Sequence, residues 1–386
     1  MKNAKRTASM ILAAMLAVSA FAGCGSSSDK GSTGGSASQG GSESSSGITG
    51  AELLKNGVTD PKYGSGELEK MLKKRPFEFP TDRSIRVITD TDCYCECDDQ
   101  YCVTHMLMTP RFDMKGVIAE QYGTREGYDS EQKSYEEIQN LVHLMGMDGE
   151  VNILHGAPGA LPDEHTPVDS EGARFIIEEA MKDDPRPLFV CNQGAATNIA
   201  SAYLMEPKIA EKITVIWIGG GVYPKGGWEF NQNNDINAAR VLFKSNMELW
   251  QVPMNVYSTM KVSFFELMEK VYPCGDIGKY LVENTMRVGR KFTERGLLHR
   301  RPGQTAGEAA TSFGGELWSL GDSPCVGLML NNTMGKFHVT DAPCDLTDEG
   351  CYDLSRPGSR KIRVYDTIDS HFILNDMFEK LKFYFG

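Results

Sequence analysis

From Arg86 to Gly221 the chain alternates short apolar or β-branched runs with amphipathic helical stretches, and no other feature restricts its fold as tightly. Arg86-Val87-Ile88-Thr89 predicts a strand, Gln100–Met108 a helix and Met114–Ala119 a second strand. Tyr135–Gly146 puts Ile138, Leu141, Val142 and Leu144 on one helical face, and Val151–Leu154 reads as a third strand. A helix at Ala173–Met181, a strand at Pro187–Cys191, a helix at Asn198–Tyr203 and a strand at Ile213–Ile218 continue the series. Strands joined through helices run parallel, and a parallel sheet needs cover on both faces. The expectation is an α/β fold with a mostly parallel central sheet and helices on both faces. Ligands in such sheets sit beyond the carboxyl ends of the strands. The segments Gly156-Ala157-Pro158-Gly159 and Gly219-Gly220-Gly221 fall there.

The start of the chain has a different character. Lys2, Lys5 and Arg6 precede an apolar run from Met10 to Ala22, which ends in Phe21-Ala22-Gly23-Cys24. That run is short for a membrane span and has the flanks of a signal peptide. Small residues before a cysteine predict a lipoprotein signal peptide over 1–23, with Cys24 lipidated as the mature N-terminus; an ordinary cleaved signal is the alternative. Residues 24–49 are Gly/Ser-rich and predict a flexible tether, 50–82 a polar lead-in with a short helix near Glu67–Lys74, and 83–386 the folded domain. The expected location is extracytoplasmic, anchored to the cell membrane through lipid alone.

Fifty-two acidic residues against 40 basic ones leave a net charge of -12, which disfavours nucleic acid as a partner. Of the ten cysteines, Cys93, Cys95, Cys97 and Cys102 crowd one segment, and Cys191 and Cys325 look like buried small hydrophobes. Cys344 and Cys351 flank a turn-like segment and are the best candidates for a disulfide.

The most chemically pointed stretch is Asp90-Thr91-Asp92-Cys93-Tyr94-Cys95-Glu96-Cys97-Asp98-Asp99-Gln100, directly after the first strand. Its five carboxylates would repel one another if packed together, and a hard divalent cation with oxygen ligands removes that cost. Ca²⁺ tolerates the irregular geometry of a loop.

This stretch resembles, with a longer loop, the Asp-x-Asp-Pro-Gly-x-Asp-Asp opening of the nucleoside hydrolases of the inosine-uridine preferring type. Further pieces are similar in order: Leu154-His155-Gly156-Ala157 with Leu161, the run Cys191–Ala200, Ile218-Gly219-Gly220-Gly221, Trp228-Glu229-Phe230-Asn231 with Asp235, and Gly321-Asp322-Ser323-Pro324. The resemblance implies a Ca²⁺-dependent hydrolase that cleaves the N-glycosidic bond of a nucleoside or related ribosyl compound. It implies that Asp92, Asp99 and Asp322 ligate the cation with the Gln193 main-chain carbonyl. Asp98, Glu229 and Asn231 would hold the ribose, and Asp92 would take the proton from water.

The departures from the family pattern matter as much. Glu96, with Asp90, could supplement the ligands. Gly321 stands where many members carry a histidine that protonates the leaving base. Trp228, Tyr223 and Trp250 could stack a base, and His155 or His299 could touch ligand. A non-catalytic nucleoside- or sugar-binding surface lipoprotein on the same scaffold is the alternative reading; assembly into a homo-oligomer is left open.

Overall fold

The structure, a computed structural model, describes residues 67–123, 129–298 and 315–386, with residues 304, 305, 307, 308 and 311 between them. The expected signal peptide, Cys24, the tether and His299 lie outside the described residues.

The central sheet contains β1 (Ile85–Thr91), β2 (Phe112–Ala119), β3 (Ile153–His155), β4 (Leu188–Asn192), β5 (Ile213–Ile218), β6 (Glu248–Val252), β7 (Gly335–Asp341) and β8 (Lys361–Ile368). Their order is β3-β2-β1-β4-β5-β6-β8-β7. Pairing is parallel from β3 to β8, and β7 lies antiparallel on β8 at the edge. The fold is thus the mostly parallel, helix-covered sheet that the alternation demands. β1 is buried at all of its positions, as a strand covered on both faces must be.

Side chains alternate between two layers. On one face Ile88, Ile118, Val190 and Val215 pack under the helices Glu171–Met181, Thr197–Met205 and Ile236–Lys244. On the other, Val117 and Ala119 join the helices Asp98–Leu107, Ser130–Leu144, Gly275–Leu298 and Ser370–Phe385. Val87, Cys191 and Ile216 meet the short helix Pro324–Leu330 on that same side. Among the described residues no helix is long and apolar enough to cross a membrane.

Caps set several helix starts ahead of where the apolar spacing puts them. Ser170 accepts a hydrogen bond from the Ala173 amide, so that helix begins at Glu171. Asp129 accepts from the Gln132 amide, so the helix expected from Tyr135 begins at Ser130. The early helix Glu67–Leu72 buries Met71 and Leu72 in the core, and Arg75 pairs with Asp82 at 2.6 Å just after it.

The expected disulfide does not form: Cys344 and Cys351 are both free thiols. The two-residue strands Asp345–Leu346 and Tyr352–Asp353 pair antiparallel with Leu346 opposite Tyr352. That register sets the two cysteines on different rungs, and the Cys344 thiol donates to the Asp353 carbonyl instead (3.2 Å).

Trp217 is the largest fully buried side chain, edge-to-face with Phe243, and its indole N–H donates to the Gly194 carbonyl at 3.1 Å. Trp217→Ala should therefore cost about 3–5 kcal/mol in urea unfolding with an unchanged m-value. A loss under about 1 kcal/mol would mean that the layer repacks freely, against the close packing described above.

Candidate functional site

β1 carries its buried run straight into acids. Asp90 and Asp92 are nearly inaccessible, and the chain turns at once, with the Cys95 amide bonded to the Asp92 carbonyl at 2.8 Å. The helix Asp98–Leu107 then starts with Asp98 and Asp99 in its first turn, where free amides and the helix dipole favour negative charge. The turn is clamped from behind: the Gln100 amide donates to the Cys93 carbonyl (2.6 Å) and to Glu137 (3.1 Å). Thr91 donates a very short hydrogen bond to Asp99.

Other strand ends supply the opposite walls. Asp322 enters before the helix Pro324–Leu330, and the Gly321 amide donates to Asp98 at 3.0 Å. Carboxylate oxygens of Asp98, Asp99 and Asp322 lie within 4.8 Å of one another. Gln193 follows β4 and faces the same pocket. From the loop beyond β5, Glu229 accepts bonds from the Gly220 and Gln232 amides (2.8 and 2.9 Å) and from the Tyr257 hydroxyl (2.8 Å). The Asn231 amide donates to the carbonyls of Gln193 (3.0 Å) and Ile218 (2.8 Å), which fixes it against both strand ends.

A layer of buried polar groups supports this edge. Asp90 accepts from Asn198 at 2.9 Å and Asn192 at 3.3 Å. Glu120, fully buried after β2, accepts from Asn192 at 2.8 Å and from the Thr197 amide at 3.2 Å. Asp235 receives the Thr197 hydroxyl and the Leu161 amide, both at 2.8 Å. Gly194 lies between these layers: a Cβ there would come 2.5 Å from a Glu120 oxygen and 3.2 Å from the Asp92 carboxyl carbon. Only glycine lets the backbone pass so close.

Crowding and burial drive the carboxyls upward. Desolvation is the largest cause throughout. It lifts Asp98 to about 6, Asp90 to about 7 and Asp99 to about 8. Glu96 also reaches about 8, with the neighbouring Asp98 and Asp99 charges adding to burial. Asp92 and Asp322 are pushed well above the carboxylate range, again by burial first and by neighbouring acids next. Asp92 Oδ2 is buried with no hydrogen-bond partner. A buried, partnerless oxygen beside a group of hard oxygen donors fits a divalent cation well.

Of the residues expected from sequence, the pocket gathers Asp92, Glu96, Asp98, Asp99, Gln193, Glu229, Asn231 and Asp322 on its wall. Asp90 stands behind them. His155 does not line it: the imidazole stacks on Tyr135 (3.7 Å between centroids) and bonds Glu131 at 3.0 Å. Trp228 reaches it only through edge contact with Phe230, which does line the pocket. Tyr223 bonds Thr340, and Trp250 is packed against Phe189 under the Arg363 guanidinium. Two residues escaped the sequence reading. Tyr257 sits in no motif. Glu120 had a usable signal: it is an acid placed directly after the apolar run Met114–Ala119.

A model of the family "Inosine-uridine preferring nucleoside hydrolase" matches residues 87–369. The chain is 30% identical over 122 residues to the inosine-uridine preferring nucleoside hydrolase of Leishmania major, covering 30% of this chain and 36% of that protein. It is 24% identical over 189 residues to a pyrimidine-specific ribonucleoside hydrolase of Citrobacter koseri, covering 43% and 59%. The matched stretches thus span less than two thirds of these curated relatives. Among solved structures, a purine-preferring ribonucleoside hydrolase from Gardnerella vaginalis superposes with a TM-score of 0.60 at 20% identity, over 77% of this chain and 98% of that one. A plant nucleoside hydrolase gives 0.60 at 15% identity, over 78% and 99%. At those identities the likeness is one of fold.

Carboxyls raised above their unfolded value of about 4 contribute stability below that pH, and lose it as pH rises through the folded values. With Asp98, Asp90, Asp99 and Glu96 at about 6 to 8, Tm in chelator should fall steadily between pH 5 and 8.5. Excess Ca²⁺ should flatten the fall. A Tm in chelator that does not change over this range would mean that the acids are not buried together.

Proposed function

The chain belongs to the inosine-uridine preferring nucleoside hydrolase family, and from that membership and the chemistry of its pocket we propose that it hydrolyses the N-glycosidic bond of a nucleoside or related ribosyl compound, with Ca²⁺ as its cofactor. The observation that carries this reading is the meeting of six carboxylates from three strand connections in one pocket, with one carboxylate oxygen buried and unpartnered.

Asp99 and Asp322 would hold the cation together with Asp98, which the family resemblance sets on the ribose but whose carboxylate lies within reach of the other two, and Asp92 and the Gln193 carbonyl on the same wall would assist. When bound, the cation offsets the carboxylate charge and makes a nearby water more acidic. Asp92, with its free Oδ2, would accept the proton of that water. Glu229 is fixed by three amides and a phenol, and Asn231 by two carbonyls, so each would meet the ribose hydroxyls in a fixed orientation. The surrounding negative charge would stabilise the oxocarbenium-like sugar as the bond breaks.

Purified protein with Ca²⁺ should release free ribose from at least one of inosine, uridine and p-nitrophenyl riboside, and chelator should stop it. Asp92→Asn should lower kcat by about 10² to 10⁴-fold, the span of a positioned base, while a Ca²⁺-induced rise in Tm persists. Asp99→Ala should abolish that rise, which at a Ca²⁺ concentration of 100 Kd corresponds to about 2.7 kcal/mol. Ligand binding in calorimetry with no turnover of any of the three would favour a binding protein instead.

The first residues support a second proposal, that the protein is a lipoprotein held outside the cytoplasm through Cys24. Labelled palmitate should be incorporated by the native sequence and not by Cys24→Ser; equal labelling would exclude Cys24 as the anchor.

A further inference from the structure

Tyr257 is pinned from two sides. It ends the short helix Met254–Tyr257 after β6, and the Met254 amide bonds the Gly220 carbonyl at 3.1 Å, which ties that helix to the end of β5. Just beyond it, Lys261–Ser263 pairs antiparallel with Leu317–Ser319, the segment that leads into Gly321. The Leu320 amide also bonds the Met260 carbonyl at 2.8 Å. The ring stands against Gly321, where a Cβ would come within 3.1 Å of it. Glycine at 321 therefore leaves the room that this ring fills. The side chain stays partly exposed and lines the pocket beside Glu229, Phe230 and Asn231.

Its hydroxyl donates to Glu229 Oε1 at 2.8 Å. Having given its one hydrogen, the phenol oxygen is left to accept. Glu229 Oε1 also takes the Asn231 amide at 3.2 Å, and Oε2 takes the Gly220 and Gln232 amides at 2.8 and 2.9 Å. Two donors on each oxygen use the four or so lone-pair sites of a carboxylate, so a further hydroxyl reaches this acid through the phenol that already lies on it. The Asn231 side-chain nitrogen spends its hydrogens on the Gln193 and Ile218 carbonyls, which leaves Oδ1 for a ligand. Tyr257 and Asn231 thus offer the pocket acceptors in fixed places, and a sugar hydroxyl is a donor that fits them.

Resting on the reading of the protein as an N-ribosyl hydrolase, we propose that Tyr257 is a sugar-binding residue: one ribose hydroxyl donates to its phenol oxygen, and the phenol passes that contact on to Glu229. A chain of hydroxyl, phenol and carboxylate ends on a charge, which polarises and strengthens each link. The residue thereby sets part of the pocket's sugar specificity. An analogue without that hydroxyl leaves the phenol's acceptor unpaired, and the site discriminates against it. No proton changes hands along this chain, and Tyr257 takes no part in breaking the C1′–N bond.

The test uses the full chain with excess Ca²⁺ and crosses Tyr257→Phe with a set of sugars. Phenylalanine keeps the ring against Gly321 and removes only the hydroxyl, so the Ca²⁺-induced rise in Tm should persist. The parent compound is whichever of inosine, uridine and p-nitrophenyl riboside the wild type cleaves fastest, compared with its 2-, 3- and 5-deoxy sugar forms. The quantity read is the factor by which Tyr257→Phe lowers kcat/KM for each compound, or raises Ki for one that binds without turnover. The compound's own reactivity cancels in that factor. It should be about 10 to 100 for the parent and two of the analogues, the span of a hydrogen bond linked to a charged group. For the third analogue, which lacks the contacted hydroxyl, it should be near one, because substitution and deletion remove the same interaction. A factor alike for all four compounds, whether large or near one, would overturn the inference and leave the hydrolase reading standing. Loss of the Ca²⁺-induced rise in Tyr257→Phe would overturn it too, by showing that the hydroxyl serves the cation site. If the wild type cleaves none of the parent ribosides, the hydrolase reading falls and takes this inference with it.

Discussion

Mutual repulsion among buried carboxylates is the constraint around which the carboxyl edge of this sheet is built. Asp92, Asp98, Asp99 and Asp322 are brought together at low solvent access, and each is pushed above the ordinary carboxylate range. Such a group would open the edge unless the backbone beneath it were held firmly. The hold comes from β1, buried on both faces between β2 and β4, and from a second layer in which Asn192, Asn198 and Thr197 bond Asp90, Glu120 and Asp235. The carboxylates of that layer, Asp90, Glu120 and Asp235, each have donors, so the layer can stay buried while the acids above it wait for a ligand.

The strand order explains why the pocket lies where it does. From β1 the chain proceeds to β2 and β3 on one side, then returns to place β4, β5 and β6 on the other. The loops after β1 and β4 therefore diverge, and a crevice opens between them. Asp92 to Asp99 occupy one lip and Gln193 the other. The chain after β5 brings Glu229 and Asn231 over the top, and the segment before Pro324 closes the remaining side with Asp322. These four separate strand connections, three of which carry acids, add up in the pocket wall, and that is why no one of them shows the pocket's full charge.

Much of this was legible residue by residue. The apolar run Ile213–Ile218 is a strand with those same ends, and the acidic run after Thr89 could only lie at a carboxyl edge once the strands were parallel. Asp99 and Asp322, 223 positions apart, were linked by resemblance to a family pattern and not by any local rule. Glu120 was passed over because an acid after a strand looks solvated until the loop Gln193–Ala196 is folded over it. His155 looked like a site residue because it ends a strand, but Tyr135 and Glu131 on the adjacent helix hold its ring instead.

The sequence by itself determined the sheet's class, the edge on which chemistry had to occur and most of the acids that line the pocket, because periodicity and charge are local properties that short-range sterics and solvation read directly. The tertiary structure alone decided the rest. It set Cys344 and Cys351 on different rungs of one short ladder, turned Trp250 into core under Arg363, and set Tyr257 against Gly321 with its hydroxyl on Glu229. Those outcomes depend on which distant elements share a volume, and close packing settles that question only when the whole chain is in place.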